Sequence, residues 1–511
     1  MKPSVELFSL IKSLTKSEKR FFKLSSSLQS GDKNYLMLFD YIEKQTSYNE
    51  TALKKKFEKE NFIKHLPSEK NHLYKLIMKS LRMYASGQSI GGVLAEDLKN
   101  IEILYSKALY KECSKFVFRA KATAEKHEKF YFLYELISWE KKLIDSAYEA
   151  GEFSMDLDSL NDEEELVIAK LRNLAEYVVL YAKVNLIFRS GGFTRNENEK
   201  KIVDSIAQHP LISGKNTALS TNAASICYYI KGLCAATNRN YKDSYAFFSK
   251  TKEILDNNPL IKDQAAKRYV LTLIHLLRCY IEDKKFKKAE QMVSTIRELK
   301  SKKAFKSIDI MVQIFAKTYD QELILLHSQG KFISSVELIP EIENQHQALL
   351  GKVSKEMETL LTYSKSYSYF GIGNYKKALF YLNDVLNDNV QNLRQDIYSF
   401  SKLVNLIIHY ELGNYDFIEY EVRSTSRYLI KHKRDFKIET VCIQYIRKLA
   451  KMYVVENKVE LLNKMKLEID ELLKDHNESV ILEYFNIRAW IKSKTDNITF
   501  SEAVREVNGI S

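Results

Sequence analysis

The chain has 511 residues, of which 45% are hydrophobic, 28% charged and 12% aromatic, with only 15 Gly, 5 Pro and 5 Cys. So few backbone breakers exclude collagenous and low-complexity architectures and leave room mainly for long helices, while five cysteines are too few for a disulfide scaffold. The net charge is +13, and residues 1–90 hold 17 Lys/Arg against 9 Asp/Glu. A basic front of this kind marks contact with nucleic acid or an acidic partner, or else a solvated lysine surface.

Residues 1–86 read as a small basic module of four or five short helices. The opening MKPSVELFSLIKSLTKSEK lacks the apolar run and small-residue cleavage site of a secretory signal and reads as a short amphipathic helix, so a cytoplasmic location is expected. Thr15-Lys16-Ser17-Glu18 has capping-box form ahead of Phe21 and Phe22, and Ser47-Tyr48-Asn49-Glu50 has it ahead of Leu53 and Phe57. Pro67-Ser68 opens a long helix. On it Leu73, Leu76, Ile77, Leu81 and Tyr84 share one face, and His72, Lys75, Lys79 and Arg82 share the opposite one.

SGQSIGG, Ser86 to Gly92, is the most loop-like stretch and the expected domain boundary. Residues 93–215 then read as helical hairpins. DLDSLNDEEE, Asp156 to Glu165, lacks the Gly and the final Glu of a calcium loop and reads as an acidic helix start. Leu166 to Phe188 is the longest apolar segment, but Lys170, Arg172, Glu176 and Lys183 interrupt it, so a buried helix is expected and not a membrane span. Gly191-Gly192, Pro210 and Pro259 mark further helix ends.

From residue 216 a phrase recurs: a polar turn, an aromatic, and a small or aliphatic residue three places later. The aromatics are Tyr241, Phe286, Phe332, Tyr375 and Tyr415, spaced 45, 46, 43 and 40 residues apart, and the residues three on are Ser244, Ala289, Ser335, Ala378 and Ile418. Tyr110 and Cys113 form a weaker copy. Self-similarity at this period means stacked helix pairs, because one pair alone cannot bury its apolar face. The array is expected over 216–430, the hairpins of 93–215 are its degenerate copies, and 431–511 closes it as a C-terminal helical cap.

The phrase resembles the tetratricopeptide repeat, best at Gly373, Tyr375, Ala378 and Leu382 with Tyr369 upstream. Its period exceeds that family's roughly 34 residues, which implies longer helices. The resemblance implies an all-α, right-handed α-solenoid of tetratricopeptide-like helix pairs carrying the small N-terminal module. It also implies that the first helix of each pair lines a groove for a protein or peptide partner. The groove positions are then His275, Arg278, Tyr363, Tyr367 and Phe370. The family's Lys/Asn clamp for a chain-terminal carboxylate is not reproduced.

Chemistry-bearing motifs are missing: there is no P-loop, no HExxH, no GxSxG and no paired Cys/His spacing. No enzyme, cofactor or metal site is expected, and the five scattered cysteines read as reduced core thiols. The second candidate surface is the basic front, where Lys54, Lys55 and Lys56 lie on one helix and His72, Lys75, Lys79 and Arg82 on the next, a helix-turn-helix-like arrangement suited to phosphates. The expected function is a non-catalytic intracellular scaffold or adaptor. The alternative is a nucleic-acid-binding regulator whose repeats sense a partner.

Overall fold

The computed structural model describes residues 5–27, 34–147, 157–191, 193–195, 197–388, 394–452 and 454–510. These residues form helices joined by turns, without strands, and fall into two compact units, Met1–Ile168 and Ala169–Ser511. Asp156 and Gly192, expected at a helix start and a helix stop, lie outside the described residues.

In the first unit α1 (Glu6–Ser13), α2 (Lys16–Ser27), α3 (Asn34–Lys44), α4 (Glu50–Lys56) and α5 (Leu66–Ala85) close around a core that includes Leu7, Ile11, Phe22, Phe39, Leu73 and Ile77. The Thr15–Glu18 capping box is present: the Glu18 N–H donates to Thr15 Oγ1 at 3.2 Å and the Thr15 N–H to Glu18 Oε2 at 2.7 Å. The second cap is Asn49 and not Ser47. Asn49 directly precedes α4, and its side chain accepts the Ala52 N–H at 2.9 Å. Lys70 then ties α5 to the start of α4, donating to Glu50 at 2.6 Å and to Tyr48 at 3.2 Å.

Helices α6 (Ile90–Ser106), α7 (Tyr110–Lys126) and α8 (Phe130–Ala147) pack in sequence. Gly91 and Gly92, expected in a loop, lie in the first turn of α6. There Ser89 Oγ accepts the Gly92 N–H at 3.1 Å, so an N-cap ahead of an apolar run outweighs two glycines. Helix α9 (Leu157–Gly191) is 35 residues long, and the division between units falls inside it. The expectation of a buried helix over 166–188 is corrected. Tyr177, Leu180 and Val184 are buried, but Leu166, Val178, Val179 and Leu186 are exposed.

After α9 the second unit continues with α10 (Glu197–Ala207) and α11 (Pro210–Ser213). Pairs follow: α12 (Thr221–Thr237) with α13 (Tyr241–Asp256), then, after α14 (Pro259–Gln264), α15 (Ala266–Glu282) with α16 (Phe286–Glu298). Next come α17 (Ile308–Ser328) with α18 (Phe332–Ala348), α19 (Lys355–Gly371) with α20 (Tyr375–Leu386), α21 (Gln395–Glu411) with α22 (Tyr415–Lys431), and α23 (Lys437–Ala450) with α24 (Val455–Leu472). Each pair packs on the next, which makes an all-α solenoid. Pro210 and Pro259 open helices at the first turn, where a missing N–H costs nothing. The first helices of the five repeats, 17 to 21 residues each, supply part of the long period, and α14 supplies more between α13 and α15.

The shared turn has one stereochemistry. Arg239, Lys284, Gly330, Gly373 and Gly413, each two residues before the repeat aromatic, all have positive φ, as do Ala108 before Tyr110 and Glu128 before Phe130. At each the next N–H closes back on the first helix, as in Asn374 N–H to Tyr369 O and Lys331 N–H to Leu326 O. This is a Schellman stop, and it ends the first helix and launches the second. The residues three past the aromatic, Ser244, Ala289, Ser335, Ala378 and Ile418, are buried where the two helices meet. Gly371 shows how tight such contacts are, since a Cβ there would stand 1.9 Å from the Phe332 ring.

Candidate partner-binding wall

Residues 431–511 do two things. Helices α23 and α24 continue the stack, and the chain then returns through a 3-10 turn (Glu478–Glu483), α25 (Ile487–Thr495) and α26 (Phe500–Val507). This return segment runs along the inner wall made by the first helices of the pairs. Phe485, Ile487, Trp490 and Val504 are buried in the core that the segment shares with α19 and α21.

Three of the five expected groove residues hold this segment. The Tyr363 hydroxyl donates to the Tyr484 carbonyl at 3.1 Å, and Tyr367 Oη accepts the Asn486 N–H at 3.2 Å. Phe370 stands edge-on to Phe485 at 5.2 Å and to Phe500 at 5.1 Å. A fourth, Arg278, pairs with Glu483 and, at 2.8 Å, with Glu282. Glu483 also accepts the Tyr241 hydroxyl at 2.8 Å and pairs with Arg239 at 3.1 Å. The fifth, His275, stacks on Phe248 at 4.4 Å between Phe188 and Tyr229, and burial, with the Lys317 charge, pushes its pKa down to about 3. It is a neutral ring in an aromatic nest.

Polar clasps fix both ends of the return segment. Arg195 reaches Glu439 with both amino groups, at 2.5 and 3.3 Å, gives its Nε to the Asn477 carbonyl at 3.1 Å, and lies 3.7 Å over the Phe436 ring. At the other end Asn508 donates to the Ser328 carbonyl at 2.8 Å, and Lys284 donates to the Asn508 carbonyl at 2.6 Å.

Beside the segment an open cavity of about 1110 Å³ remains, bounded by α9, α15, α17 and α19. Helix α17 turns Gln313, Lys317 and Gln321 into it at four-residue steps. The buried Gln321 Oε1 has no hydrogen-bond partner among the described residues. No sequence motif marks this polar ladder, because such a row has no local signature and becomes visible only when α17 is known to face a cavity.

The basic front is split. Lys54 pairs with Glu50 at 3.1 Å, whereas Lys55 and Lys56 are exposed. On α5 Lys75, Lys79 and Arg82 are exposed, and His72 meets the Tyr35 ring edge at 6.0 Å. Nine residues, including a 3-10 turn at Asn61–His65, separate α4 from α5.

Among the described residues no group of three His, Cys, Asp or Glu side chains is placed to hold a metal, and no helix is long and apolar enough to cross a membrane. The five cysteines are buried and unpaired, and burial raises every thiol, Cys279 to about 11 and Cys234 to about 12. Among known proteins no family profile, no curated protein and no solved structure matches the chain.

Proposed function

We propose that the second unit is a non-catalytic protein-interaction array, a scaffold or adaptor whose inner wall seats a segment of a partner in the cavity beside its own return segment. One observation carries the reading: the wall already holds an irregular stretch of polypeptide. It does so by hydrogen bonds between tyrosines and main-chain groups, one donated by Tyr363 and one accepted by Tyr367, and by an arginine clamp on one carboxylate. A wall built to bind backbone and an anchoring charge suits peptide recognition. We read the repeat as tetratricopeptide-like on its turn and its small buried residue, and we place the protein in the cytoplasm, where five free thiols persist.

A photo-crosslinking side chain at Gln313, inside the cavity, tests this in the native cell, with the same group at Phe380, which is 63% exposed on α20, as the control. The reading expects one discrete protein adduct at Gln313 that is missing at Phe380. Identical adducts at both positions, or none at Gln313, would refute it.

A further inference from the structure

Helix α5 carries a second surface, independent of the wall. Its buried face, Leu73 and Ile77, belongs to the core of the first unit, and its outward face presents Lys75, Lys79 and Arg82 with His72 in line. Several other cations of this unit are matched: Lys23 pairs with Asp40 at 2.8 Å, Lys70 with Glu50 at 2.6 Å, and Lys121 with Glu140 at 2.5 Å. Lys75, Lys79 and Arg82 have no ion pair among the described residues. Being four and three residues apart, they repel one another along the helix. Glu69, the one carboxylate in the α5 sequence, lies off the stripe on the first turn. A helix that keeps a row of like charges unneutralised is poised for an external polyanion.

We propose that this face of α5 binds the phosphate backbone of double-stranded nucleic acid. The three cations span about 10 Å of helix rise, a straight row that follows phosphates along one strand. A single strand is a poorer fit, because it needs a platform of exposed rings, and on the exposed face of α5 only Tyr74 supplies one, at 37% exposure. A membrane surface is a poorer fit too, since the apolar face that would enter lipid is spent in the core. The Lys70 bridges to Glu50 and Tyr48 hold α4 against the start of α5, adding Lys55 and Lys56 to the same basic unit.

The test is fluorescence polarisation of the full-length protein with a labelled mixed-sequence DNA duplex of about 20 base pairs, the matching RNA duplex and a polyglutamate chain, between low and physiological salt. Binding to either duplex is expected, with log K falling by about 4 per decade of salt for the five cations, and the preferred duplex identifies the source of the phosphates. K75Q/K79Q/R82Q should weaken binding more than about 10-fold and flatten the slope by about 3, with R82Q alone flattening it by about 1. K107Q/K111Q/K115Q removes equal charge from exposed positions in the α6–α7 region and should leave binding intact. Absent duplex binding at low salt, or equal losses in the two triple variants, would overturn the proposal. So would capture of polyglutamate without duplex, which would make α5 a dock for an acidic protein.

Discussion

Glu483 is the point at which the return segment is most exposed to a single change. Its side chain, 7% exposed, receives Arg278, Arg239 at 3.1 Å and the Tyr241 hydroxyl at 2.8 Å. Glu483→Ala leaves two guanidiniums facing an apolar gap, and removing one partner of a buried ion pair costs about 3–5 kcal/mol. The lower end applies here. Arg278 keeps Glu282 at 2.8 Å, and Arg239 keeps the His476 carbonyl at 3.1 Å and Ser479 at 3.0 Å. A loss of about 3 kcal/mol is less than the combined burial of Phe485, Ile487, Trp490, Ile491, Phe500 and Val504, worth about 1.5–3 kcal/mol each, so the segment stays seated and opens more often. Native-state hydrogen exchange should then speed up about 100-fold over residues 478–508 and change little over α12 and α13. Wild-type exchange in 478–508 would show that Glu483 is not a clasp. Uniform acceleration through the second unit would show that the segment does not open separately from the array.

Three further outcomes follow from individual contacts. His327 is buried, with Ser368 at 2.8 Å, and burial pushes its pKa down to about 3. The unfolded chain takes up a proton near pH 6.5 while the folded one stays neutral, so stability falls as pH drops below 6.5 and the loss reaches about 2 kcal/mol at pH 5. The melting temperature of His327→Asn should lose that part of its acid sensitivity, and an unchanged pH slope would refute the assignment. Gly371→Ala drives a methyl into the Phe332 ring and should cost about 1–3 kcal/mol in denaturant midpoint, partly restored by adding Phe332→Leu; no cost would mean that the helices part freely there. Ala108, exposed at φ 57°, holds a left-handed turn without a glycine, so Ala108→Gly should raise the melting temperature of the first unit by the equivalent of about 1 kcal/mol, and a decrease would refute the strain.

What the sequence determined by itself is local. Scarce Gly and Pro give helices, Thr15-Lys16-Ser17-Glu18 caps one, and the phrase of turn, aromatic and small residue sets every Schellman stop from Tyr110 to Tyr415, because each depends on residues within about one turn of each other. Elsewhere neighbouring residues override the local signal. Gly91-Gly92 read as a loop although Ser89 caps them into α6, and the apolar residues of α9 read as buried although Leu166, Val178, Val179 and Leu186 are exposed. The cavity ladder of Gln313 and Gln321 and the return of residues 476–508 were decided by tertiary structure alone. Glu483 meets Arg278 across 205 residues and Arg195 meets Glu439 across 244, and no periodicity within either segment encodes which distant helix it will face. The stacking of pairs brings those groups together, and burial then makes their charges and hydrogen bonds decisive.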